Sequence, residues 1–369
     1  MPVRKLAIAA AAVLGALAMA VGSGSSASAA PAPGTPIPVG SQPYAAAFSL
    51  DGSTVFTANA GHNTVSVVDV ASATQTAVIS VGLVPLDLAV SPDGATLLVA
   101  NAGDNTVSVL STASPYTLIT TVTVADPSAV TFAPDGLTAW VASSSANTVV
   151  PVATATWLPG APVVVGANPI DVAVSPNGAY LYVTGANDSS VTEIALPALT
   201  TVTVTVGDQP WGVAFTPDGT RAYVANVNDD TVSVITVATG TVDFTLPVDA
   251  NPHYIAFSKD GSTAYVTSYF TDLLTVIDNS AVPTISGTIA VGASPRDIVA
   301  SRDGLLFVMT NLGNDTIEFL DFRPPPTPQL ASTGVDGARE SVLATGGSAL
   351  VLLGLVIVLA RRRIDELAA

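Results

Sequence analysis

The chain contains no cysteine among its 369 residues. Disulfides cannot staple it, and thiolate chemistry, Cys-based metal sites and covalent haem attachment are excluded. Histidine is almost missing: His62 and His253 are the only two. A histidine-rich copper or zinc centre needs more, so no metal and no cofactor are expected. Basic side chains are scarce, 11 Lys and Arg against 28 Asp and Glu, for a net charge of −17. Arg4 and Lys5 lie near the start, Arg339, Arg361, Arg362 and Arg363 near the end, and only Arg221, Lys259, Arg296, Arg302 and Arg323 between. Such a surface repels nucleic-acid phosphates and anionic lipid, so nucleic acid is not an expected partner. A Gly-rich phosphate loop and a G-x-S-x-G elbow are missing as well.

What remains is apolar and small. Hydrophobic residues make up 49 % of the chain while aromatics make up 6 %, and Val, Ala and Thr carry the difference. β-Branched side chains fit a pleated, half-buried surface, so the composition favours strands.

The two ends read as addresses. Arg4 and Lys5 precede an apolar run from Leu6 to Val21, then small residues through Ala27-Ser28-Ala29. A basic segment, an apolar segment and an A-x-A site make a secretory signal peptide over residues 1–30. At the other end, residues 323–341 hold a stiff Pro324-Pro325-Pro326-Thr327-Pro328 spacer and the pentapeptide Leu330-Ala331-Ser332-Thr333-Gly334. Residues 342–360 are apolar or small throughout, and Arg361-Arg362-Arg363 opens a basic tail, 361–369. Nineteen helical residues would span roughly 28 Å, the hydrocarbon thickness of a bilayer, with the arginines on the cytoplasmic side.

This order resembles that of a Gram-positive sortase substrate, with Ala331 where Pro is usual, as in the Leu-Ala-x-Thr-Gly variant associated with actinobacterial class E sortases. The resemblance implies cleavage between Thr333 and Gly334 and transfer of the Thr333 acyl group to a peptidoglycan amine. The implied partners are a sortase and peptidoglycan, with the membrane engaged before sorting, and the implied location is the cell wall of a secreting bacterium.

Between the ends lies a repeat. Prolines recur at Pro43, Pro85, Pro127, Pro169, Pro210, Pro252 and Pro295, at intervals of 42, 42, 42, 41, 42 and 43. Glycines 52, 94, 136, 178, 219, 261 and 304 keep the same intervals. Each unit reads as four short strands separated by turn formers: in the second, Leu86–Val90, Thr96–Ala100, Thr106–Leu110 and Leu118–Val124, with Ser91-Pro92-Asp93-Gly94 as the first turn. A four-stranded unit of this length matches a propeller blade. The units resemble the YVTN repeat family, on Leu181-Tyr182-Val183-Thr184, Ala264-Tyr265-Val266-Thr267, Ala222-Tyr223-Val224-Ala225-Asn226 and Asn105-Thr106-Val107-Ser108-Val109.

The expected fold is therefore all-β: a seven-bladed β-propeller over residues 31–322, four strands per blade. The last copy stops after its third strand, and a spare segment precedes the first. Val39-Gly40 matches the outer-strand endings Val81-Gly82, Val165-Gly166, Val206-Gly207 and Val291-Gly292. Residues 35–40 should thus complete the last blade and close the ring. Phe48, Phe132, Phe215 and Phe257 share one inner-strand position, after alanine in three cases, so large side chains should nest against small ones of the neighbouring blade.

Residues just after each opening proline vary while their surroundings repeat. Trp211, His253, Tyr254 and Arg296 fall in blades 5, 6 and 7, and Asp87, Asp171 and Asp297 share one repeat position. Aromatic rings beside an arginine suit a sugar, a peptide or a carboxylate. Packing could equally account for Trp211, a loop carbonyl for His253, a pair of Arg296 with Asp297 or another rim acid for the charges, and bracing of the incoming loop's backbone N–H groups for the aspartates. The oxygen-rich loops Asn101–Asn105, Asn187-Asp188 and Asn226–Asp230 could hold Ca²⁺, but turn formation explains them better. Three functions stay open: a binding, adhesion or scaffold module recognising an extracellular glycan or protein, a lactonase-like hydrolase, and a structural wall component without a ligand. A haem or quinone carrier is disfavoured by the shortage of ligating side chains.

Overall fold

The repeat folds because its turn residues stand at fixed places between runs of β-branched side chains. In blade 2 the inner strand is Pro85–Val90, the second Thr96–Asn101, the third Thr106–Ser111 and the outer Leu118–Thr123. The first turn is held by its own side chains. The Ser91 hydroxyl accepts the Thr96 amide at 2.9 Å, and the Asp93 carboxylate accepts the Ala95 amide at 3.0 Å. Gly94 sits at φ +77°, a conformation that is easy only without a Cβ.

The computed structural model describes residues 32–323, which form seven antiparallel sheets, each ordered from inner to outer strand. The signal peptide, sorting pentapeptide, apolar segment and basic tail expected from the sequence lie outside the described residues. No helix among the described residues is long and apolar enough to cross a membrane. Blade 3 departs from its siblings. Its outer strand comes in two pieces, Leu158–Pro159 and Val163–Val164, both paired with the third strand Thr148–Ala153. Pro159 and Pro162 explain the break, because a proline cannot donate to the ladder.

The ring closes as the Val-Gly match implied, with a shorter strand. Ile37–Pro38 pairs antiparallel with the last strand, Ile37 opposite Ile317 and Pro38 opposite Thr316. Beyond that pair, the Val39 amide donates to the Asp315 carbonyl at 3.0 Å and the Gly34 amide to the Phe319 carbonyl at 2.7 Å. A side-chain latch reinforces the join: Asp315 Oδ1 accepts the Gln42 amide at 2.8 Å. The same latch links Asn63 to Val84, Asn105 to Asp126, Asn147 to Asn168, Asp230 to Asn251 and Asp272 to Ser294. First and last blades are thus joined by the device that joins other neighbours.

Seven apolar clusters fill the seven gaps between adjacent blades. The large-on-small nesting is present. Phe132 shares a cluster with Ala89, Phe215 with Ala173 and Phe257 with Ala214, in each case from the preceding blade. Phe215 also meets the Tyr182 ring at 4.7 Å and Phe257 the Tyr223 ring at 5.1 Å. Wedge-shaped sheets therefore tilt about one axis, and the inner strands line a central channel.

Candidate binding site at the channel mouth

Every inner strand enters the channel at its proline, and every one carries a register shift within its first three or four residues. Such bulges re-aim side chains. The residues after the proline therefore divide into two tiers.

The upper tier is a row of stacked planar groups. Trp211 stacks on His253 with centroids 5.1 Å apart and planes within 8°. His253 stacks in turn on Tyr269 at 5.0 Å and 19°. The Arg296 guanidinium lies 5.3 Å from the Trp211 centroid and 3.8 Å from the Tyr44 ring. Phe270 meets the edge of Tyr269 at 5.5 Å and is 71 % exposed. The row draws on blades 5, 6, 7 and 1. Gly212 permits it, because a Cβ there would sit 2.5 Å from the His253 carbonyl oxygen. No larger residue would let blade 6 approach Trp211 so closely.

The polar atoms of this row are unanswered. Arg296 is only 8 % exposed, yet its guanidinium makes no hydrogen bond or ion pair among the described residues. The sole ion pair there is Arg323–Asp321. The expected Arg296–Asp297 pairing is therefore absent, because the two side chains leave the strand for different tiers. Arg296 Nε, Trp211 Nε1 and His253 Nδ1 are all buried without a partner. The expected His253 bond to a loop carbonyl is not made either, since its ring is clamped between two aromatic faces. Burial, with the Arg296 charge second, pushes the His253 pKa down to about 3, so the imidazole is neutral.

The lower tier holds Asp87, Asp171, Tyr254 and Asp297, which line a channel cavity of about 410 Å³. Each aspartate braces the next blade. Asp87 Oδ2 accepts the Val130 amide at 2.7 Å, Asp171 Oδ2 the Val213 amide at 2.8 Å, and Asp297 Oδ2 the Ala46 amide at 2.8 Å. The backbone bracing expected of them is thus present, directed at a neighbouring inner strand rather than an incoming loop. Burial raises all three pKa values: Asp171 to about 6, Asp297 to about 7 with Asp171 adding repulsion, and Asp87 well above the ordinary range, again with Asp171 second. Burial also raises Tyr254, helped by the Asp171 charge.

The seven residues singled out from the sequence therefore do not form one cluster. Trp211, His253 and Arg296 belong to the mouth, and Tyr254 and the aspartates to the cavity behind it. Tyr269 and Phe270 escaped the sequence reading, although a signal existed. Their loop carries Ala60-Gly61, Ala102-Gly103, Ser144-Ser145, Ala186-Asn187, Val227-Asn228 and Leu312-Gly313 in the other blades. The oxygen-rich loops are structural. Asp104 accepts the Leu83 amide at 3.1 Å, Asp188 the Ala167 amide at 2.8 Å and Asp229 the Asp208 amide at 2.7 Å. No group of three or more His, Asp or Glu side chains that could hold a metal ion occurs among the described residues.

No family model matches the chain, and no curated protein matches it. Solved structures do. Hydrazine synthase of Kuenenia stuttgartiensis is similar over 76 % of this chain and 95 % of that one, at 24 % identity and a TM-score of 0.70. A functionally unknown protein from Desulfotomaculum acetoxidans DSM 771 is similar over 73 % of this chain and 95 % of that one, at 14 % identity and a TM-score of 0.64. At these identities the likeness speaks for the fold alone. The chain is a seven-bladed β-propeller, a fold consistent with a binding or scaffold module.

Proposed function

We propose that this chain is a YVTN-type binding module displayed on a bacterial cell wall, with the channel mouth bearing Tyr44, Trp211, His253, Tyr269, Phe270 and Arg296 as its recognition face. The observation that carries the reading is convergence. Residues that break the repeat come from four blades and meet at one mouth, where packing alone would have kept them uniform. Loops on a rigid scaffold are where recognition is carried, and half-buried aromatics with one exposed ring, Phe270, beside a buried arginine have the composition of binding hot spots. The partner is an extracellular glycan or protein. The lactonase-like alternative has less support: the cavity carboxylates are occupied with backbone amides of the next blade. A purely structural wall component would leave the three buried nitrogen atoms of the mouth without a purpose.

Display rests on the leader, on Leu330-Ala331-Ser332-Thr333-Gly334, and on the apolar segment and arginines that follow. Mass spectrometry of muramidase-digested wall should find Thr333 carrying a peptidoglycan stub; a chain continuous through Gly334 in that fraction would refute sorting. For recognition, Phe270→Ala is the clean test, because Phe270 is exposed and supports no core. On glycan and matrix-protein arrays it should weaken the strongest signal about tenfold, a loss typical of an interface aromatic, with melting unchanged. An unaltered signal would remove this mouth as the recognition face.

A further inference from the structure

We infer that Arg296 is the anchor for a carboxylate group on the ligand, so that the module selects acidic ligands over neutral ones. The inference rests on the mouth being the recognition face. It starts from a buried charge that no side chain pairs with directly, Asp297 acting on it only through space. A guanidinium cannot give up its proton inside a protein, and burying it unpaired is costly. Arg296 is nonetheless nine-tenths buried with no ion pair and no hydrogen bond. Of its three nitrogens only Nε is both sealed from solvent and unpartnered, so the terminal nitrogens still face the opening.

Geometry then fixes what it can take. The guanidinium carbon lies 3.8 Å from the Tyr44 ring centroid and 5.3 Å from the Trp211 centroid. Contact that close with Tyr44 covers a face of the group, so a ligand is taken at its N–H edge. An arginine edge presents parallel N–H donors that match the two oxygens of a carboxylate. The stacked rings likewise have their faces covered, so Trp211 does not serve as an open platform for a sugar ring. Its indole N–H is buried without a partner in the same row as Arg296 Nε. A ligand at this mouth meets the Arg296 terminal nitrogens beside the exposed Phe270 ring.

The charge balance selects a monoanion. Arg296 is the only cation in the row, and His253 is neutral. Asp87, Asp171 and Asp297 line the cavity one residue further along their strands. A phosphate dianion would bring two charges against one guanidinium with three carboxyl groups behind it, whereas a carboxylate brings one.

The test uses the full-length chain purified in detergent, with calorimetry and tryptophan emission. The probes are glucuronate against glucose, benzoate against benzamide, and inorganic phosphate, each carried to its solubility limit. Glucuronate and benzoate should bind at least about tenfold tighter than their neutral partners, as expected for a charge-assisted pair, and phosphate more weakly than either. Trp211→Phe should remove the emission change without abolishing calorimetric binding. Arg296→Met should erase the preference for acids. Arg296→Lys keeps the charge but not the fork, so it should lose most of the preference while melting like the parent, which covers the case in which the Met variant does not fold. Equal affinity for acid and neutral probes, or an intact preference in Arg296→Lys, would overturn the inference. If neutral probes bind and Phe270→Ala weakens them while Arg296 variants do not, the carboxylate assignment fails and the recognition face stands. If no probe binds and Phe270→Ala leaves the array signal intact, both fail.

Discussion

Ile37→Asp should cost about 4 kcal/mol or more, the sum of a lost buried aliphatic side chain and an unpaired charge placed among apolar groups. Ile37 is 5 % exposed. It sits in the cluster that joins the last blade to the first, with Ala46, Val55, Val68, Val308 and Ile317. A ring differs from an open stack of sheets in one respect: every blade lies between two neighbours, and opening one junction exposes two apolar faces at once. The junction at Ile37 is also the only one made by two chain ends, so no covalent link holds it once the strand leaves. Loss of the strand would uncover the edge of Thr316–Asp321 as well, which favours aggregation. The measurement is the urea midpoint, beside Ile285→Asp as a control. Ile285 is also an isoleucine on an outer strand, but it is 41 % exposed, and surface changes of that kind stay within about 0.5 kcal/mol. If both variants unfold at the same urea concentration, Ile37 does not close the ring.

That junction was legible in the sequence because it reuses repeat grammar. Val39-Gly40 matches other outer-strand endings, and the seventh copy is one strand short. The turn at Ser91-Pro92-Asp93-Gly94 and the nesting of Phe257 on Ala214 could be read for the same reason: each is local, or one repeat away. The split outer strand of blade 3 was signalled by Pro159 and Pro162, but periodicity hides an exception of that kind. The mouth was harder. Trp211 and Arg296 stand two blades apart, and only ring curvature brings them to 5.3 Å. The separation of Arg296 from Asp297 is invisible in sequence, where adjacency implies a pair. It follows from the extended strand Pro295–Ala300, in which consecutive side chains leave toward opposite faces. The latch residue Asn105 read only as part of a turn-forming loop, because its acceptor role depends on the neighbouring blade.

Stability should peak on the acidic side of neutrality, and the cavity aspartates set the upper limb of the curve. Burial lifts Asp171 from 3.8 to about 6 and Asp297 to about 7. A carboxyl whose folded pKa lies above its unfolded one favours the fold while protonated, so its contribution is complete below pH 3.8 and disappears as pH rises through 6 and 7. Displacements of that size correspond to about 3–4 kcal/mol each for isolated groups, and less in sum because the groups repel one another. The opposite limb belongs to the turn aspartates. Hydroxyls of Ser49, Ser91, Thr216, Ser258 and Ser301, with backbone amides second, lower the pKa values of Asp51, Asp93, Asp218, Asp260 and Asp303. Their contribution is present above the ordinary carboxylate range and is lost as pH falls through it. Between the two limbs lies a maximum near pH 4, where the turn carboxyl groups are ionised and the cavity carboxyl groups are still protonated in both states. Asp297→Asn separates them. The amide oxygen still accepts the Ala46 amide, and no charge remains to be desolvated. The variant should therefore gain about 1–3 kcal/mol at pH 8, part of the charge penalty being offset by one lost acceptor, gain less at pH 5, and gain nothing near pH 3. Urea midpoints for both chains across pH 3 to 8 would show the wild-type curve falling between about pH 4 and pH 7 and the variant falling less over the same range. A wild-type midpoint that rises steadily to pH 8, or a variant that loses stability equally at every pH, would mean that these carboxyl groups ionise freely and that the channel behind the mouth is well hydrated.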